Sequence, residues 1–335
     1  MNLTIIYGTR PEFLKLKIII DTLRNKCNLN VIRINQHINL TEDHGYYDTL
    51  IDIDEMCEDR INNIGVNILN KLPQYIKNST HILAQGDTAT CFYAMLTGFQ
   101  MKKQCIHLEA GMRTYDLDNP YPEEGFRQMI SRITNIHLCP SEKEKEYLME
   151  EKVKGEIYVV GNTILDLVKS YDIPITNGNK VLITLHRREN WDNYREYITA
   201  IFKLAEKYNH IEFYFLTHPN PSLKKIIDEI NDGKINNLKI MDSIPHKELL
   251  TMLSACLFVI TDSGGIQEEA NFLGKHIYML RKITERNAIS KDKLTIVDQN
   301  NIINIDVGEF KHDRGYEYGN GDTVMKICEV LQICV

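Results

Sequence analysis

A chain of 335 residues is too long for one small domain and right for two of ordinary size. With 43% hydrophobic and 25% charged residues, it has the composition of a folded enzyme and not of a disordered chain. Lys plus Arg number 39 against 46 Asp plus Glu; a net charge of -7, with the basic residues scattered, argues against a nucleic-acid partner.

The chain opens on a short apolar run without a basic flank or cleavage site, so no signal peptide is expected. Residues 3–6 predict a strand, 8–12 (Gly-Thr-Arg-Pro-Glu) a turn, and 12–20 a helix with Pro near its start. Arg10 and Lys15 would offer cationic donors to a diphosphate there; the plainer reading is a capped helix with solvated charges. Strand 31–34 leads to Gln36 and His37, strand 81–84 to Gly86, Asp87 and Thr88, and strand 105–108 to Glu109 and Arg113. This alternation predicts βαβ units on a parallel sheet buried on both faces.

Residues 170–180 are polar and carry Pro and Gly, which reads as a linker. The alternation then restarts. Strand 181–185 runs into His186, strand 211–216 into Thr217 and His218, and strand 257–261 into Asp262, Ser263, Gly264 and Gly265. The longest apolar stretch, around residues 252–260, is far below the roughly 18 residues of a membrane helix, so no membrane partner is expected. Residues 321–334 have a cap signal and helical spacing.

Open parallel sheets bind ligands at the carboxyl ends of their strands, where Arg10, His37, Asp87, Glu109, His186, His218 and Ser263 all fall. The paired glycines 264 and 265 would let backbone N–H groups approach a phosphate at a helix N-terminus, with the Ser263 hydroxyl as a further donor. Glu269, just over one turn into that helix, is placed for ribose hydroxyls. The plainer alternative is a strand-to-helix turn with acids favouring the dipole. Asp87, Glu109 and Glu123 form a carboxylate set suited to acid and base work on two faces of one substrate. Against it stands a reading in which Asp87 and Glu123 cap helices and Glu109 pairs with Arg113. Two imidazoles, His186 and His218, end strands of the second half. No GxGxxG fingerprint is present, so a nicotinamide cofactor is not expected. The eight cysteines form no CxxC pair or metal spacing, which predicts a reduced, cytoplasmic protein without a metal.

In this order the motifs resemble the non-hydrolysing UDP-N-acetylglucosamine 2-epimerases, through residues 8–12, 36–37, 86–88, 109–114, 122–124, 161–163, 186–190, 261–269 and 284–286. The resemblance implies an α/β fold of two Rossmann-like, doubly wound domains (GT-B-like), with the active site in the interdomain cleft. The implied boundaries are 1–169, 170–317, and a C-terminal helix in 318–335 crossing back onto the first domain. It also implies a homodimer without a cofactor. Asp87, Glu109 and Glu123 would be the acid/base set. Arg10, Lys15 and His186 would hold the diphosphate or leaving group; Ser263, Gly264 and Gly265 the phosphate; Glu269 the ribose; and Arg286 the nucleotide side. His37, Arg113 and His218 would line the substrate site. The chain departs from the pattern at Phe126, Asn287 and Asn320, and its stretch between His37 and Gly86 is short. The rival readings are an epimerase of a related UDP-N-acetyl sugar, a hydrolysing epimerase, a GT-B glycosyltransferase and a nucleotide-sugar binding protein without activity.

Overall fold

The computed structural model describes residues 1–36, 40–176, 178–231, 233–281, 284–308 and 310–333. Contacts divide the chain into two units, residues 1–167 with 318–335, and residues 168–317.

The first unit is built from β1 (Asn2–Tyr7), α1 (Arg10–Leu23), β2 (Asn28–Ile34), β3 (Thr49–Ile51), α2 (Arg60–Tyr75), β4 (His81–Gln85), α3 (Ala89–Gln100), β5 (Gln104–Leu108), α4 (Glu123–Ile133), β6 (Ile136–Cys139), α5 (Glu142–Glu150), β7 (Glu156–Val159) and the start of α6 (Thr163–Ser170). Its seven strands pair in parallel in the order β3-β2-β1-β4-β5-β6-β7. Alternating residues of β1 feed two cores. Leu3, Ile5 and Tyr7 pack with Leu16 and Ile19 of α1, while Ile6 joins Ile64 and Ile68 of α2 and Met95 of α3. A strand buried on both faces needs apolar residues at every position, which is why these strands read as continuous runs.

The second unit holds β8 (Lys180–Thr184), α7 (Tyr194–Lys207), β9 (Glu212–Leu216), α8 (Pro221–Ile230), β10 (Leu238–Met241), α9 (His246–Ser254), β11 (Phe258–Thr261), α10 (Gly264–Phe272), β12 (His276–Met279) and β13 (Leu294–Ile296). Its parallel order is β10-β9-β8-β11-β12-β13.

The chain then returns to the first unit as α11 (Thr323–Val330), which packs on α1 through Val324 and Ile327. The buried Asp166 accepts from the backbone N–H groups of Thr323 and Val324 at 3.1 and 2.9 Å and so caps this helix from α6. Gly161, at φ +98°, sits so close that a Cβ would lie 2.6 Å from the Thr323 hydroxyl.

In both sheets the strand order reverses beside the first strand of the unit, between β1 and β4 and between β8 and β11. The carboxyl ends there open the crevice where doubly wound sheets take ligands.

Candidate active site

In the first unit the loops after β1, β4 and β5 lie side by side, because those strands are neighbours. Glu109 leaves β5 in a left-handed conformation, φ +65°, which L side chains adopt at a cost and which gathers at functional sites. Its Oε2 accepts from Lys15 Nζ at 2.5 Å and from the amide of Gln85, the last residue of β4. Lys15, buried on α1, is therefore committed to Glu109. Asp87 is held by Arg127 of α4, whose Nε and terminal nitrogen lie 2.8 and 2.6 Å from its Oδ2. Arg127 also reaches the buried Glu124 at 3.1 Å, and Glu124 accepts from the backbone of Thr114 and Tyr115. Glu123 begins α4, with Pro122 at the cap position, and is half-buried. Arg10 forms a two-bond fork with Glu42, both at 2.8 Å.

Where the plainer reading paired Glu109 with Arg113, Glu109 takes Lys15. Thr88, not Asp87, caps α3. Arg113, expected on the substrate, is fully buried, and its guanidinium donates to Glu151, the Ser131 hydroxyl and the Met112 carbonyl. These bonds brace the loop that follows β5. Gly111 in that loop, at φ +91°, approaches the Glu144 carbonyl so closely that a Cβ would lie 2.3 Å from it. His37 lies outside the described residues.

Two residues not singled out for a role shape the same floor. Burial pushes the Glu12 carboxyl up to about 7 against four hydroxyl and backbone hydrogen bonds that favour its charge. His107 on β5 donates through Nε2 to the Gly86 carbonyl at 2.7 Å, and burial pushes it down to about 4, so it is neutral. Glu12 stands in the first motif. Its spacing from Thr9 is that of a capping box, and both bonds of the box form. Nothing local marks Gln85 or His107, whose partners arrive from other strands. Arg127 follows Glu124 at a helical i, i+3 spacing, the one readable hint of its role.

In the second unit Ser263 caps α10 by accepting from the Ile266 N–H, and Gly264 and Gly265 form its first turn. A Cβ on Gly264 would lie 3.1 Å from the guanidinium carbon of Arg286, while Gly265 faces open space. Arg286 is held over this turn by Glu268 and Glu285, each at 2.8 Å. Asp262, fully buried at the end of β11, accepts from the backbone N–H groups of His186 and Arg187 at 2.9 and 2.7 Å and from the Asn190 amide at 3.0 Å. It thereby fixes the loop after β8. His186 stacks near His218 at 5.8 Å between ring centres, and Trp191 closes on His218 at 5.4 Å. Burial pushes the His186 imidazole below its ordinary range; Asp262 opposes that shift and His218 adds to it. Glu269 on α10 accepts from His246 Nε2 at 2.7 Å with both side chains nearly buried.

A carboxylate pair held by Lys15 and Arg127 can exchange protons with a bound substrate. The capped, glycine-opened N-terminus of α10 can take an anion. Among the described residues no cluster of His, Cys, Asp and Glu is arranged to hold a metal ion, and no helix is long and apolar enough to cross a membrane.

The family model described as UDP-N-acetylglucosamine 2-epimerase matches residues 28–332. A UDP-N-acetylglucosamine 2-epimerase of Campylobacter jejuni is 31% identical over 98% of this chain and 97% of its own length. The crystal structure of UDP-GlcNAc 2-epimerase from Neisseria meningitidis bound to UDP-GlcNAc aligns with a TM-score of 0.88 at 29% identity, covering 99% of this chain and all of that one. The Methanocaldococcus jannaschii enzyme in complex with UDP-GlcNAc and UDP aligns with a TM-score of 0.83 at 27% identity, over 99% of both chains.

Proposed function

The chain belongs to the UDP-N-acetylglucosamine 2-epimerase family of carbohydrate isomerases, and on that footing we propose that it interconverts UDP-GlcNAc and UDP-ManNAc. The C2–H of an N-acetyl sugar is not flanked by a carbonyl, so direct loss and return of that proton has no stabilised carbanion to pass through. Elimination offers a route. One carboxylate takes the C2 proton as the C1–O bond breaks, and UDP leaves 2-acetamidoglucal. UDP then adds back at C1 while a proton arrives on the opposite face of C2. Bonds and charge balance without an oxidant or reductant, so no redox cofactor is called for.

Asp87, Glu109 and Glu123 are the proposed acid and base groups, with Arg127 paired to Asp87 and Lys15 to Glu109. Arg10 and His186 are proposed to hold or stabilise the leaving diphosphate, His186 as a hydrogen-bond donor. In the second unit Ser263, Gly264 and Gly265 would take the phosphate, Glu269 the ribose and Arg286 the nucleotide side, with His218 beside His186. We further propose a cytoplasmic homodimer that supplies UDP-ManNAc to polysaccharide synthesis. The observation that carries the reading is the gathering of Asp87 and Glu109 at neighbouring strand ends, each with its own buried cation.

The test is incubation of the purified protein with UDP-GlcNAc in D2O, followed by NMR. UDP-ManNAc with deuterium at C2 is the expected product. Epimerised product without solvent deuterium would sink the elimination route, and free ManNAc plus UDP would mean hydrolysis. Turnover only of 6-deoxy or uronic-acid UDP-sugars would move the substrate.

A further inference from the structure

Glu12 does more than start a helix. Its Oε2 accepts from the backbone N–H groups of Gly8 and Thr9 at 3.0 and 2.7 Å, which closes the cap of α1. Its Oε1 accepts from the Thr88 hydroxyl at 2.7 Å. One carboxylate, 1% exposed, thus ties the loop after β1, which carries Arg10, to the loop after β4, which carries Asp87. The seam continues beyond it. The Gln36 side-chain carbonyl accepts from the Thr90 hydroxyl at 2.6 Å, and a Cβ on Gly8 would lie 2.2 Å from that same hydroxyl. On its other side the Gly86 carbonyl is held by His107. Asp87 therefore sits between two residues, Gly86 and Thr88, that are each anchored to a buried side chain.

We infer that Glu12 is a positioning residue for the reaction, fixing the backbone from which Asp87 works through its bond to Thr88. The inference rests on the reading of Asp87 as one of the acid and base carboxylates. The competing account is local: Thr9 caps α1, Thr88 caps α3 by accepting from the Cys91 N–H, and Glu12 only steadies the first of these. Two caps acting separately would affect stability independently and leave the chemical step alone.

The two accounts separate in a double-mutant cycle on the full-length protein, read as kcat and KM for UDP-GlcNAc, with a thermal melt for each variant. Glu12→Ala and Thr88→Val are each expected to lower kcat about 100-fold with KM within about threefold, the scale of a misplaced reacting group. The double variant is expected to be no worse than either single one. Glu12→Gln and Thr88→Ser are expected to recover most of the lost rate, because an amide and a hydroxymethyl can remake the bond. Thr88→Val leaves the bonds from Gly8 and Thr9 to Glu12 in place, so it carries the test if Glu12→Ala does not fold. Losses that multiply in the double variant, or a kcat that neither single change moves, would overturn the inference. So would Glu12→Gln as inactive as Glu12→Ala, which would indicate proton chemistry at Glu12 instead. An inactive wild type overturns the functional reading and this inference with it; an active wild type with insensitive variants overturns this inference alone.

Discussion

His107 and Glu12 are buried in the same floor and respond to acid in opposite senses. His107 has its folded-state value at about 4 against an ordinary 6.5. As pH falls below 6.5 the unfolded chain gains a proton that the folded one refuses, so this group withdraws stability down to about pH 4. Glu12 has its folded-state value at about 7 against an ordinary 4.5. Here the folded state gains the proton first, so stability is gained as pH falls from 7 towards 4.5. In the wild type the two largely cancel across that window. His107→Asn should therefore gain roughly 2 kcal/mol of stability between pH 7 and 5 relative to wild type, and Glu12→Gln should lose a similar amount. Urea denaturation at the two pH values checks both; parallel shifts in the two variants would contradict the assignment. The role of His107 was not legible in the sequence, whereas the capping-box spacing of Glu12 was. A histidine inside an apolar run carries no mark of the carbonyl it will meet from the next strand, and Arg113 is the same lesson in reverse. Its place in a family motif implies substrate, but its partners Ser131, on α4, and Glu151, just past α5, could not be read from that motif.

At the level of elements, the strands that read clearly are the central ones. β1, β4, β5, β8, β9 and β11 are largely buried and show as mostly apolar runs. The edge strands β3, β7, β10 and β13 are three or four residues long and partly exposed, so nothing in their pattern separates them from loops. The last helix is a case where a readable element hid its anchor. Its spacing predicts α11, but its N-terminus is capped from α6, by an aspartate 157 residues earlier. Asp166→Ala removes the acceptor for two backbone N–H groups in a buried setting. It should cost about 1–3 kcal/mol, seen in hydrogen exchange as faster opening of α11 and of α1 beneath it. Unchanged protection of both helices would show that packing alone holds them.

For the whole molecule, the two units repeat one plan. Each is a parallel sheet whose strand order reverses next to its first strand, and each puts its chemistry-bearing residues at that reversal. That plan was legible because βα alternation and turn residues are local signals; which cation serves which carboxylate was not, because the partners come from separate strands and helices. If α10 takes the nucleotide, UDP at a hundred times its Kd should add about 2.7 kcal/mol to the second unit. Slower exchange of the α10 amides would report it, and no change there would remove α10 from the nucleotide site.

The return of the chain to the first unit also sets an order of events during synthesis. Residues 168–317 are all present in the nascent chain before α11 emerges, although translation began with the other unit. A domain made first would ordinarily fold first. Here the half that starts earliest must wait with Val324 and Ile327 missing from its core, and the half that starts later can close ahead of it. A chain exposed as far as residue 317 would carry all of the second unit and a first unit without its last helix, with the apolar face of α1 uncovered and open to a chaperone.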